Sequence, residues 1–112
     1  MKVYKNTHNN FSFTRRNNKN EIITTTPQEI IFSVKENFDD ENYLIQKTMT
    51  KGEISMNPTT GVWVIRLVPN DTAKLGFGNY YCDVKIINEY GLSSIIVAPQ
   101  TFEILKTVTV GG

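Results

Sequence analysis

The chain holds a single histidine and a single cysteine among its 112 residues. His8 stands in a polar N-terminal arm with no cysteine or second histidine nearby, which excludes a metal centre or a histidine-based nucleophile relay built on it. It reads as an exposed arm residue. Cys82 has no second thiol to pair with, so an intrachain disulfide is excluded, and its place in an alternating stretch reads as buried packing. An excess of charge of one sign is missing as well. With Lys and Arg numbering 12 against 11 Asp and Glu, the net charge is +1. No field gathers phosphates, and the basic stripe of a nucleic-acid binder is absent. Long apolar runs are also lacking: nowhere do about eighteen uncharged apolar residues follow one another, and Met1 to His8 has no signal-peptide core. The chain is therefore expected to be neither secreted nor membrane-spanning. Without a secretory signal, the Asn-x-Ser/Thr matches at Asn10 and Asn70 are read as coincidence.

What the sequence has in quantity is short β-prone segments. Residues 1–112 are expected to form one domain, large enough to bury roughly two thirds of its unfolded surface without metals or disulfides. Residues 1–10 read as a flexible arm or an added edge, and 110–112 as a frayed end. Phe11 and Phe13 alternate with Ser12 and Thr14, the Asn-rich Arg15 to Asn20 gives a turn, and Glu21 to Thr25 resumes extended character. After Pro27, Ile30, Phe32 and Val34 face one way while Ile31, Ser33 and Lys35 face the other. The acidic stretch Glu36 to Asn42 reads as a hairpin tip leading into a strand over Tyr43 to Met49, with Tyr43 and Ile45 on one side and Leu44 on the other. Lys51 and Gly52 mark a turn, Glu53 to Met56 a short strand, and Asn57 to Gly61 another turn. Val62 to Val68 is β-branched and aromatic, with Trp63, Ile65 and Leu67 on one face. Asp71 to Leu75 is the one piece compatible with a helical turn. From Gly78, Tyr80, Cys82, Val84 and Ile86 share a side opposite Tyr81, Asp83, Lys85 and Ile87. A turn at Asn88 to Gly91 precedes strands over Ser93 to Ala98 and Thr101 to Thr109. About seven or eight strands at roughly ten-residue spacing, with no helical period, predict an all-β antiparallel sandwich or small barrel.

No set of side chains composes an active site, so the chain is expected not to be an enzyme and to need no cofactor or metal. Asp39, Asp40 and Glu41 lack the spacing of a calcium loop. Asp71 is placed to cap a turn and Asp83 to face outward, so the two do not form an acid–base pair. Gly76 and Gly78 flank Phe77 without a following helix, which suits positive φ at a corner better than a phosphate cradle. Arg15, Arg16 and Lys19 read as solvated surface. Tyr43, Trp63, Tyr80, Tyr81 and Tyr90 would furnish a sugar-stacking platform if several lay exposed on one face, although aromatics in so β-rich a chain are more often core.

Gly78, Tyr80 and Cys82 reproduce the Gly-x-Tyr-x-Cys spacing of the tyrosine corner in immunoglobulin-like sandwiches, with Asp71 and Leu75 leading up to it. A wider resemblance covers residues 21 to 109. Glu29-Ile-Ile-Phe-Ser-Val-Lys35, Tyr43-Leu-Ile-Gln-Lys47, Pro69-Asn-Asp-Thr72 with Leu75, Gly78, Tyr80, Tyr81, Asp83 and Val84, then Phe102-Glu-Ile104 and Thr107-Val-Thr109, stand in an order similar to that of a group of small phage and prophage proteins. These resemble the virion-attached N-terminal β-sandwich of baseplate upper proteins. The resemblance implies a non-enzymatic structural or accessory module of a tail, baseplate or capsid, located in the virion or, during assembly, in the host-cell cytoplasm. Its implied partners are other virion proteins or copies of itself. The chain departs from the group at Cys82, where an aromatic residue is usual, and from true immunoglobulin domains in the position of Trp63 and the missing first cysteine. A sandwich leaves edge strands that a partner can pair. The expected edges are Phe11 to Arg15, with Phe11 and Phe13, and Thr101 to Thr109, with Val108. The alternative function, from a different class, is a carbohydrate-binding sandwich used in host adhesion, marked by exposed aromatics beside amide or carboxylate groups.

Overall fold

Alternation between more and less buried side chains is longest at residues 29–35 and 78–87, and these segments become neighbouring strands inside one sheet. The computed structural model describes residues 1–107. Its elements are β1 (Lys2–Tyr4), β2 (Asn9–Thr14), β3 (Glu29–Lys35), β4 (Ile45–Thr48), β5 (Ile54–Met56), β6 (Val62–Leu67), a single helical turn α1 (Pro69–Thr72), β7 (Gly78–Ile87) and β8 (Ser93–Leu105). One sheet has the order β1-β8-β7-β3-β4 and the other β2-β6-β5. The chain is an all-β sandwich. In immunoglobulin lettering β2, β6 and β5 occupy the B-E-D order and β3, β7 and β8 the C-F-G order, with β4 beside C. Every pairing between named strands is antiparallel except β1 with β8, which is parallel, Lys2 opposite Glu103 and Tyr4 opposite Leu105. Residues 2–4 are thus an added edge strand, anchored by Val3, which is buried.

The two sheets close on Ile30, Phe32 and Val34 from β3, Cys82, Val84 and Ile86 from β7, Phe102 and Ile104 from β8, and Trp63, Ile65 and Leu67 from β6. Phe11 of β2 reaches across the sandwich to Phe32 and Phe102, with ring centroids 6.5 and 6.4 Å away. Fully burying rings such as Phe32 and Phe102 stabilises the fold by roughly 1.5–3 kcal/mol each. Trp63 stacks on Phe13 at 6.3 Å, and its indole N–H is buried without a hydrogen-bond partner among the described residues.

Three segments differ from the sequence expectation. Tyr43 and Leu44 precede β4 instead of opening it, and both are exposed. Residues 21–25 form no strand; Ile22 makes an isolated bridge to Arg16 around a turn in which Asn20 has φ of 62°. Ser93 to Leu105 is one strand of 13 residues, not two. Pro99 fits inside it because the register with β7 shifts there: Cys82 faces Gln100 while Val84 faces Val97, so Ala98 and Pro99 together oppose Asp83. A second shift follows between Val84 and Lys85. Bulges of this kind bend a strand and re-aim its side chains. Val108, Thr109 and the glycines at 111 and 112, named above as edge and frayed end, lie outside the described residues.

Candidate functional site on the outer sheet face

The residues before β7 build a tied corner. In α1, Asp71 Oδ2 accepts the Val68 N–H at 2.7 Å, which closes the turn. Its other oxygen lies 2.7 Å from the Nζ of Lys47, which is also 3.4 Å from Glu53. Lys47 follows Ile45 by two residues on β4 and therefore points inward; only 7% of it is exposed, so its charge needs these carboxylates. Thr72 is buried and its hydroxyl accepts the Asn6 N–H at 3.0 Å, joining the β1–β2 connection to the corner. Leu75 packs partly buried against the core. Gly78 has φ of 128°, a conformation side chains rarely adopt, whereas Gly76 is not at positive φ. What Gly76 supplies is its carbonyl, which accepts the Tyr80 hydroxyl at 2.8 Å. Burial pushes the Cys82 thiol up to about 11, so it remains protonated at neutral pH. Asp71 closes the turn of α1, Gly78 opens β7 and Tyr80 ties back to Gly76, while Leu75 and Cys82 pack toward the core; Lys47 is the contact of Asp71 that sequence reasoning overlooked. A lysine two residues from Ile45 on an inward register was the available signal.

One expected edge is found and the other is covered. β2 is an edge strand, as expected, with Phe11 and Phe13 turning their rings into the sandwich, so that its backbone and not these rings is what a partner would meet. The stretch Thr101 to Leu105 is no edge, because β1 covers it: Met1 O accepts from Glu103 N and Lys5 N donates to Leu105 O. Further up the same strand that cover ends. Ser93 to Ala98 is paired to β7 alone among the described residues, and its other side is open.

On the outer face of the larger sheet the side chains that alternate away from the core surround a groove of about 310 Å³. Its floor is set by register. Lys35 stands opposite Tyr81, Ser33 opposite both Asp83 and Gln46, and Ile31 opposite Lys85. The β3–β4 loop contributes Phe38 and Tyr43, and the bulged part of β8 contributes Ile95 and Pro99. Phe38 meets Tyr81 edge to face at 5.3 Å. Of the five aromatics weighed as a sugar platform, Tyr43 and Tyr81 come together here, joined by Phe38. Trp63 is core, Tyr80 is bound into the corner, and Tyr90 projects from the β7–β8 turn. The Phe38 and Tyr81 rings are tilted to one another by 63°, not coplanar.

The remaining constellations are structural. Arg15, expected on the surface, is 8% exposed and reaches Glu89 at 2.9 Å and the Thr25 carbonyl at 2.8 Å, tying the 15–25 loop to the β7–β8 turn. Burial tends to raise the Glu89 carboxyl, but the Arg15 hydrogen bond and charge, with the Thr25 hydroxyl, hold it below its ordinary 4.5. Asp40 caps its own loop by accepting the Asn37 N–H. His8 is exposed, and no group of three or more His, Cys, Asp or Glu converges among the described residues. Nor is any helix among them long and apolar enough to cross a membrane. Fold and face together define a two-sheet sandwich of immunoglobulin-like strand order with a groove on its larger sheet. Beyond that class, no family model, curated protein or solved structure matches the chain.

Proposed function

We propose that this chain is a non-enzymatic structural module that works through protein–protein contacts, and that its first contact is with a second copy of itself along the open edge of β8. The observation that supports this reading is the composition of that edge. Ser93-Ser-Ile-Ile-Val-Ala98 carries no charge and no proline, and Ile95 is half exposed. Sheet proteins ordinarily guard such an edge with lysine, proline or a covering segment, since its free N–H and C=O groups recruit another strand. An uncharged edge is also self-complementary, so two copies can pair antiparallel about a two-fold axis and join their larger sheets. The setting in a phage tail, baseplate or capsid, in the virion or in the host cytoplasm during assembly, is supported by the resemblance of residues 21 to 109.

Sedimentation velocity over a wide concentration range tests the reading. A discrete dimer is expected, converted to monomer by the double substitution Ser93→Lys and Ser94→Lys, which guards the uncharged edge with lysine and leaves the β7 backbone pairing in place. A wild-type monomer at every concentration, or a variant that dimerises equally well, would sink it. The groove, which shares Ile95 with that edge but lies on the outer face of the sheet, favours a second reading, recognition of a carbohydrate.

A further inference from the structure

We infer that the groove between the β3–β4 loop and the bulged part of β8 binds the end of an acidic, carboxylate-bearing saccharide. This rests on the carbohydrate reading and not on pairing at the β8 edge. The polar side chains around the groove are uncommitted: Lys35, Tyr43, Gln46, Tyr81, Asp83 and Lys85 make no hydrogen bond or ion pair with another protein side chain or backbone group among the described residues. Of the carboxylates elsewhere, Glu29 is engaged with Thr50, Glu53 and Asp71 with Lys47 and Glu89 with Arg15, whereas Glu36, Asp39, Glu41 and Glu103 are as uncommitted as Asp83 among the described residues. What sets the groove apart is that its uncommitted groups share one concave surface. Unspent donors and acceptors converging on one concave, aromatic-rimmed surface are what a small-molecule site presents before its ligand arrives.

The kind of ligand follows from what the face does and does not offer. The floor strands β3 and β7 are each paired on both sides, so their backbone groups are consumed in the ladders and a peptide would find no strand partner there. Side chains alone must make the contacts, which suits a ligand that carries many hydroxyls and no backbone of its own. Asp83 and Gln46 flank Ser33 on adjacent strands and so accept from neighbouring hydroxyls, while Phe38, Tyr43 and Tyr81 supply apolar surface for the C–H groups of a sugar ring. Charge selects among saccharides. Lys35 and Lys85 lie on either side of Asp83 along the face, leaving the groove one positive charge in excess. A bare anion meets repulsion from Asp83, and a neutral sugar leaves the lysines unused. A sugar acid satisfies both. At about 310 Å³ the groove lies at the lower limit of small-molecule sites, which confines the bound part to the tip of a chain.

The experiment is a backbone amide NMR titration of the whole chain with sialyllactose, with an oligogalacturonate as a second carboxylated probe, and with lactose as the neutral control. Shifts are expected at residues 33–46 and 81–85 with at least one acidic probe, with lactose weaker by about tenfold or more. Lys85→Gln and Tyr81→Ala should each weaken binding by about tenfold while leaving the thermal unfolding midpoint in place. Equal response to lactose, shifts centred outside this face, or silence with both acidic probes at millimolar concentration would overturn the inference. Sedimentation of the same samples separates the two proposals: a monomer that binds the acidic probe removes the edge pairing alone, and a dimer that binds none removes the saccharide site alone.

Discussion

Along β3 and β7, Ile30, Phe32, Val34, Cys82, Val84 and Ile86 are 0 to 3% exposed on one face, while Ser33, Lys35, Tyr81, Asp83 and Lys85 line an open groove on the other. These residues alternate one by one in the chain, so the same two backbones carry both faces. The inner face is satisfied by volume: each side chain meets others and displaces water. On the outer face Phe38 packs on Tyr81, but the polar side chains of the groove take no hydrogen bond or ion pair from the protein among the described residues. Stability is thus concentrated on one side of the sheet and available chemistry on the other, and a one-residue slip of register would exchange them.

The sharpest break of this contrast comes from the inner face. Phe32→Ala deletes a fully buried ring that touches Phe11 and Phe102 from two other strands. It is expected to cost about 3–5 kcal/mol, read as a lowered midpoint in urea at unchanged slope. A loss under about 1 kcal/mol would mean that the cavity collapses and the inner face is not the rigid one.

Lys47 is the exception to the rule, a charge on the inner side. Lys47→Ala leaves Asp71 and Glu53 facing each other's charge without their cation. Because both acids keep some contact with water, the expected cost is about 1–3 kcal/mol, less than for a fully enclosed pair. Lys47→Met restores the packed stem and should recover most of it. If it recovers none, the ion pairs outweigh the packing.

How much of this was legible follows the same division. The inner face could be read directly, because period-two alternation in Ile30 to Val34, Trp63 to Leu67 and Tyr80 to Ile86 needs no knowledge of neighbours. The corner was legible in part: Asp71, Gly78 and Tyr80 follow local spacing, but the Lys47 contribution comes from a strand more than twenty residues away and leaves no local trace beyond its parity with Ile45. The groove was least legible. It depends on which strands neighbour one another, on Phe38 folding back from a loop, and on bulges that carry Pro99 through β8 where sequence reading sees a break. The C-terminal edge misled for the same reason, since only the sheet order reveals that β1 covers Thr101 to Leu105 and leaves Ser93 to Ala98 open.

Acid sharpens the contrast at the rim of the sandwich. Glu29 and Glu89 both sit below their ordinary 4.5: for each, burial acts upward and is outweighed, in Glu29 by hydrogen bonds from Thr50 and the Ile30 N–H, in Glu89 by Arg15 and Thr25. A carboxyl with a lowered folded value binds fewer protons folded than unfolded. Its stabilisation is therefore complete above about pH 5 and is lost as pH falls through 4.5 and toward the folded value. Urea midpoints measured from pH 6 to 3 should decline over that window, and Glu89→Gln should start lower at pH 6 and decline less. An equal slope in the variant would show that Arg15 and Glu89 are not energetically coupled.

The smallest stability effects are expected where the chemistry is richest. Asp83→Asn and Lys85→Gln touch outward side chains that have no hydrogen-bond partner among the described residues, and each should move stability by no more than about 0.5 kcal/mol. The sign is informative. Asp83 lies diagonal to Lys35 on the neighbouring strand and two residues from Lys85, so its removal takes away the acid that stands between two cations and should destabilise slightly, whereas Lys85→Gln leaves Asp83 with Lys35 and should be neutral. Low salt enlarges the difference between the two variants and high salt erases it, because exposed charges are screened within about 8–10 Å at physiological ionic strength. Were Asp83→Asn instead to cost as much as an inner-face substitution, its carboxylate would be holding the sheet together, and the outer face would be structure after all.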